Sequence, residues 1–170
     1  MIYDWFAKDD DASDLNIHID NRSELRYGEN PHQKAVFYGK LDDVFEKLHG
    51  KDLSYNNLLD LEAGLNLIRE FEEPTFAILK HNNPCGIASR TTIAEAYQAA
   101  LAGDPVSAFG GVFVSNKAID FETANEINKM FFEVIVAPDY NEGVLDIHNA
   151  KKNRIVLKLK SNDFPTKVYK

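Results

Sequence analysis

Four short apolar runs punctuate the chain: TFAILK at Thr75–Lys80, GVFVS at Gly111–Ser115, EVIVA at Glu133–Ala137 and RIVLKL at Arg154–Leu159. Each is separated from the next by a stretch carrying helical periodicity. Runs that are apolar at successive positions suit strands buried on both faces, because an alternating strand would wet one of them. Strands that alternate with amphipathic helices predict a layered α/β sheet. Thr92 and Glu95 stand at capping-box spacing, and Ile93, Ala96, Tyr97, Ala100 and Leu101 behind them repeat at helical intervals until Gly103 and Pro105. Asp120 predicts a cap for a helix carrying Ala124, Ile127 and Phe131. Asn141–Lys152 reads as a helix whose closing lysines suit the negative end of the macrodipole. Nearer the amino terminus, Leu58, Leu61, Leu65, Ile68 and Phe71 form one helical stripe, with Asn57 as the expected cap and Glu72-Glu73-Pro74 as its end. Lys34–Lys40 suits a strand, and Asp42–His49 reads as a short helix stopped by Gly50.

Length and composition bound the rest. The 170 residues are 44% hydrophobic, enough for one domain with a real core and too apolar for a disordered chain. The net charge of −8 is uneven, since residues 1–24 hold seven acids against two bases and read as a solvated acidic arm. The chain offers no basic surface for displacing counterions, so nucleic acid is not an expected partner. No apolar run approaches the ~20 residues of a membrane span, and the first residues, MIYDWFAKDDD, lack the pattern of a secretory signal. Cys85 is the sole cysteine, which excludes an intrachain disulfide. These features together predict a soluble, cytoplasmic protein.

Ligands of α/β sheets bind beyond the carboxyl ends of strands, and this rule directs attention to Lys80-His81-Asn82-Asn83-Pro84-Cys85-Gly86, at the exit of the Thr75–Leu79 run. Lys80 supplies a fixed positive charge. His81 supplies an imidazole, and the adjacent ammonium favours its neutral, proton-accepting form. Side chains alternate along a strand, so the two groups share a pocket only where the strand has already ended. The plainer reading is a polar loop with a surface lysine and a structural histidine. Asp104–Gly111 (DPVSAFGG) is a second candidate, in which two glycines allow close backbone approach and Phe109 could lie against a planar ring; on composition alone a tight turn with Phe109 anchoring it to the core is the stronger reading. In Leu25–Gln33, Arg26 could fork a phosphate and Tyr27 add a hydroxyl, while His32 suits a turn. Ser54-Tyr55-Asn56-Asn57 precedes a helix and reads as capping.

Two other chemistries fail on spacing. Pro84-Cys85 has the start of a zinc-deaminase P-C-x-x-C signature, but Ala88 occupies the second cysteine's place and the chain contains no H-x-E. Cys85 and His81 alone cannot close a zinc site. As a nucleophile Cys85 has only His81 beside it, so it reads as a small buried thiol. His18, His49 and His148 read as surface or capping histidines.

The blocks LRYGENPHQ, GKDLSYNNLLDLEAGLNLIREF, ILKHNNPCGIA, DPVSAFGGVF and FFEVIVAPDY, in this order, resemble the AICAR transformylase region of the bifunctional purine-biosynthesis enzymes that also carry IMP cyclohydrolase. The similarity runs from about Leu25 to Arg154, and the KHNNPCG and SAFGG blocks are its most specific parts. It implies a three-layer α/β/α sandwich of cytidine-deaminase-like type without zinc, occupying residues 25–160 between the acidic arm (1–24) and a tail (161–170) that leads to a second lobe. The family moves a formyl group from 10-formyltetrahydrofolate to the 5-amino group of AICAR. By motif, Lys80 and His81 would be the catalytic pair, and Arg26 and Tyr27 would contact the nucleotide. Phe109 and Gly110 would border the AICAR base and the folate, Val106 would contribute to the folate site, and Glu133 would be an acidic nucleotide contact. No metal is implied. The resemblance also implies a homodimer whose pocket needs a second lobe, so the chain alone is expected to turn over little or not at all. The alternatives are a lobe that binds a purine-type nucleotide without chemistry, and a dimerising lobe with vestigial motifs.

Overall fold

In the computed structural model, which describes residues 19–160, the four apolar runs are strands of one six-stranded sheet. In chain order the strands are β1 (Arg22–Glu24), β2 (Val36–Tyr38), β3 (Phe45–His49), β4 (Thr75–Lys80), β5 (Asn83–Ser89), β6 (Val112–Ser115), β7 (Val134–Ala137) and β8 (Ile155–Leu159). The helices are α1 (Tyr55–Ile68), α2 (Ile93–Leu101), α3 (Pro105–Ala108), α4 (Phe121–Asn128) and α5 (Val144–Asn149). The main sheet runs β3-β8-β7-β6-β4-β5. Its centre, β6-β7-β8, is parallel, while β4 joins β6, β5 joins β4 and β3 joins β8 antiparallel. β1 and β2 form a separate two-stranded ribbon.

The apolar runs are continuous because helices cover both faces. Phe76, Ile78, Phe113, Ile135 and Val156 point to one core with α2, α4 and α5. Ala77, Leu79, Val114, Val136 and Leu157 point to the other, with Leu61, Leu65 and Ile68 of α1. Leu79 and Phe113 are 1% and 0% exposed, so neither face is wet. The arrangement is a mixed α/β sandwich of three layers. Helix α1 lies so close to the sheet that a Cβ on Gly64 would stand 2.7 Å from Val114 Cγ2.

Capping set the helix starts. Thr92 and Asp120 cap α2 and α4 as their spacing predicts. Helix α1 starts earlier than expected: its cap is Ser54, whose hydroxyl accepts from Asn57 N–H at 3.2 Å while Asn57 Oδ1 accepts from Ser54 N–H at 3.0 Å. Asn57 is thus the third helical residue of the capping box. The expected helix over Asp42–His49 is absent. Leu41–Asp43 makes one 3-10 turn, and Phe45–His49 is a strand because its backbone pairs with β8 and Phe45 is buried beneath it. Tertiary pairing overrode local propensity there. The predicted strand over 34–40 shortens to β2, and the helix predicted from Asn141 starts only after Gly143, whose φ of 79° breaks the run. The end of the acidic arm, Arg22–Glu24, is the exposed strand β1. The rest of that arm with His18, and the tail 161–170, lie outside the described residues. Among the described residues no helix is long and apolar enough to cross a membrane.

Candidate functional site

The heptapeptide after β4 is not a loop but the tip of a hairpin. Lys80 pairs with Asn83, leaving His81 and Asn82 as a two-residue turn. Their φ values are 55° and 62°. Positive φ at both central positions is the signature of a type I′ turn, whose twist matches the flanking strands. The left-handed region costs a non-glycine residue roughly 1–2 kcal/mol, least for asparagine. The turn recovers this through hydrogen bonds. Asn83 Nδ2 donates to His81 O at 2.9 Å. From the opposite side, the Asp60 carboxylate of α1 accepts from the Asn82 backbone N–H, and the neighbouring His81 N–H favours its charged form. The strand has ended where His81 begins, so Lys80 and His81 escape strict alternation.

Asp60 is 8% exposed. Burial pushes its carboxyl above the usual carboxylate range, and the charge of Glu133 pushes the same way; the two backbone N–H groups and the His81 side chain oppose this. Sequence reading passed over Asp60 because it lies beside the leucine stripe. A signal was available: Asn57, Asp60 and Gly64, at helical spacing, form a buried row of small and polar residues on the face that meets the sheet.

Lys80 Nζ donates to Phe109 O at 2.8 Å, tying the hairpin tip to the DPVSAFGG segment. That segment contains α3, capped by Asp104, whose carboxylate accepts from Ser107 N–H at 3.0 Å. Phe109 follows α3 with 58% of its surface exposed, its ring centroid 5.5 Å from that of Phe131. Gly110 holds φ of 75° and donates its N–H to Phe131 O at 2.8 Å. Val106 is 85% exposed on α3.

A second cluster stands on the same sheet edge. Glu133 immediately precedes β7, with its N–H on Gly111 O at 3.0 Å. Its Oε1 lies 3.2 Å from Arg26 Nη2 and 3.2 Å from Lys51 Nζ. Arg26 also donates to Tyr27 Oη at 2.8 Å, with its guanidinium carbon 4.6 Å from the Tyr27 ring centroid. Backbone bonds from Arg26 N–H to Leu53 O and from Tyr55 N–H to Tyr27 O pin this loop against the start of α1. Two cations around one carboxylate leave a net positive charge suited to an anion. Lys51 was not anticipated, because a lysine in a loop is ordinarily solvated and only the fold brings it to Glu133.

The structure thus places Lys80, His81, Phe109 and Gly110 on one ledge and Arg26, Tyr27 and Glu133 on its continuation. Asp60 is within electrostatic reach of both His81 and Glu133. The ledge follows the carboxyl end of β4 but the amino ends of β6 and β7, since β4 runs antiparallel to them. The carboxyl-end rule pointed to this peptide through the one strand of the three that runs the other way. At the opposite sheet edge a cavity of about 300 Å³ is lined by Ser115, Asn116 and Pro138, away from every one of these residues.

The remaining candidates separate from the site. Cys85 is half-buried and its thiol is pushed up, first by burial, so it is not an activated nucleophile. His148 was expected at the surface or as a capping residue; it lies in the last turn of α5 but is fully buried, because α5 turns its face against Phe132 and the sheet. Among the described residues no group of three or more His, Cys, Asp or Glu could hold a metal ion.

The described residues form a three-layer α/β sandwich that carries Lys80, Arg26 and Lys51 at one end of its sheet. The chain belongs to the AICARFT/IMPCHase bienzyme family, whose model matches residues 1–170. It is 55% identical over 169 residues to the bifunctional purine biosynthesis protein PurH of Bacteroides thetaiotaomicron, covering 99% of this chain and 33% of that protein. It is 46% identical over 164 residues to PurH of Caldicellulosiruptor saccharolyticus (91% of this chain, 32% of the relative) and 45% identical over 159 residues to that of Acetivibrio thermocellus (90% and 31%). The chain spans about a third of the length of the curated relatives it matches.

Proposed function

We propose that this chain is the first, cytidine-deaminase-like lobe of an AICAR transformylase and supplies the proton-handling pair for formyl transfer to the 5-amino group of AICAR. The observation that carries the reading is the bond from Lys80 Nζ to Phe109 O at 2.8 Å. It sets an ammonium, the neighbouring imidazole of His81 and an exposed aromatic ring on one ledge. Arg26 and Lys51, drawn together by the Glu133 carboxylate, would receive the nucleotide phosphate, with Tyr27 beside them and Glu133 as an acidic nucleotide contact. Phe109 and Gly110 would border the AICAR base, with Phe109 and Val106 toward the folate. The exposed Phe109 ring beside the backbone of Gly110 suits a flat heterocycle.

The AICAR 5-amino group is a weak nucleophile because its lone pair is delocalised into the ring and carboxamide. 10-Formyltetrahydrofolate, the cosubstrate, supplies the formyl carbon. His81 accepts the proton that the amine loses as it acylates, and returns a proton to the side of the departing amine. Lys80 spends one N–H on Phe109 O, and its remaining two can stabilise negative charge developing on the formyl oxygen. The ledge is open: His81, Asn82 and Phe109 are exposed. An open ledge excludes little water, which supports a pocket completed by a second lobe and by a homodimer partner in the cytoplasm.

The test has two stages. Calorimetry should detect AICAR binding to the chain, which alone should show no turnover. Adding a separately produced second lobe should restore formyl transfer, and His81→Ala or Lys80→Ala should each lower the restored kcat by roughly 10²–10⁴-fold. Restored turnover that survives both substitutions would refute the reading.

A further inference from the structure

The turn that carries His81 is held from below by a group to which neither the motifs nor the proposed chemistry gives a role. We infer that Asp60 is a positioning residue: its buried carboxylate clamps the turn at the Asn82 backbone N–H, keeps His81 and Asn82 left-handed and so fixes where the imidazole stands. The inference rests on the reading of His81 as proton acceptor.

Three observations carry it. The turn needs left-handed backbone at two consecutive non-glycine residues. Such a conformation persists only where the surroundings over-determine it. The Asn82 N–H donates to the Asp60 carboxylate, with the His81 N–H also favouring its charged form, and α1 presents that carboxylate from a buried row with Asn57 and Gly64. Finally, α1 lies hard against the sheet at Gly64, where an added Cβ would stand 2.7 Å from Val114 and 2.9 Å from Leu79, so helix and strands cannot close further. The clamp therefore has a fixed origin. Leu79 also lies one residue before Lys80, so helix, strand and turn are referenced to a single contact.

The experiment compares the 170-residue chain with Asp60→Ala and Asp60→Asn, using amide hydrogen exchange and backbone ¹³C shifts by NMR. In Asp60→Ala the His81 and Asn82 amides should exchange about 100-fold faster, while Ile78 and Val114 keep their protection. Their ¹³C shifts should leave left-handed values. Asp60→Asn keeps the side-chain shape and one acceptor oxygen, should retain the turn in part, and gives the same readouts if Asp60→Ala fails to fold. With the second lobe added, Asp60→Ala should lower kcat about 100-fold, with the KM for AICAR changed less than about threefold. Asn82→Gly in the Asp60→Ala background should recover part of kcat, because glycine adopts positive φ without help. Unchanged exchange and shifts in Asp60→Ala would overturn the clamp. Faster exchange with unchanged kcat would overturn the positioning role. If the unaltered chain restores no turnover, the formyltransferase reading fails and the catalytic role of Asp60 with it, whereas the exchange result still decides the clamp.

Discussion

His81 and His148 each sit beside a cation, Lys80 and Arg154, and they have opposite fates. His81 follows Lys80 at the tip of the β4–β5 hairpin, exposed, on a turn whose Asn82 backbone is gripped by Asp60. His148 lies at 0% exposure on α5, edge-on to Phe132 with ring centroids 5.4 Å apart. Among the described residues neither of its ring nitrogens has a hydrogen-bond partner. Burial first, and then the charge of Arg154, hold its pKa down at about 4. Arg154 is itself fully buried, donating to Asn128 Oδ1 at 2.7 Å and Met130 O at 2.8 Å and standing 4.3 Å over the Phe132 ring. The lesson is that a His–cation pair is not a chemical motif in itself. Buried, it is packing that stays uncharged; mounted on a turn, with its backbone satisfied and its ring free, it becomes a candidate for proton transfer.

Substitutions can break this comparison. The largest effect is expected from His81→Ala, with its 10²–10⁴-fold loss of complemented turnover. His148→Phe should leave that turnover within about threefold, since its ring faces the core and not the ledge. Next, Arg154→Met should lower stability to urea by about 3 kcal/mol, because it strands the buried Asn128 and Met130 acceptors. Lys80→Met, at the exposed tip, should cost less than about 1 kcal/mol in the same measurement.

The pH dependence follows the same division. A histidine depressed in the folded state is neutral there while the unfolded chain binds a proton below its ordinary value of 6.5. Stability is therefore full above about pH 6.5 and falls as the pH drops toward 4. His148 alone should account for about 2 kcal/mol lost between pH 7 and pH 5, and His148→Phe should flatten that slope in urea melts. A further small change is expected from Ser54→Ala. It removes one bond of the capping box that starts α1 and should cost about 1 kcal/mol, visible as a lower midpoint without loss of AICAR binding.

Much of the scaffold was legible in the chain. The runs at 75–80, 111–115, 133–137 and 154–159 announce strands covered on both faces, and Thr92 and Asp120 announce their helices. These signals are local, so no knowledge of neighbours is needed to read them. Asp42–His49 was misread because its preference is weak and the partner that decides it, β8, lies more than a hundred residues away. Asn83–Ser89 passed for a loop because Pro84 and Gly86 discourage a strand, yet β5 is an edge strand whose glycine fits against Ala100 of α2.

The site divides in the same way. Lys80, His81, Phe109, Gly110, Arg26, Tyr27 and Glu133 are chemically conspicuous, and their blocks identify the family. Their grouping on the amino edge of β6 and β7, the arrival of Lys51 at Glu133, and the grip of Asp60 on the hairpin turn depend on residues far apart in the chain. The sequence by itself determined the layered α/β class, the helix caps and the peptides rich in functional groups, because periodicity and capping act over a few residues. Only the tertiary structure decided which histidine is buried and which is displayed, since burial and charge proximity arise when distant segments pack together.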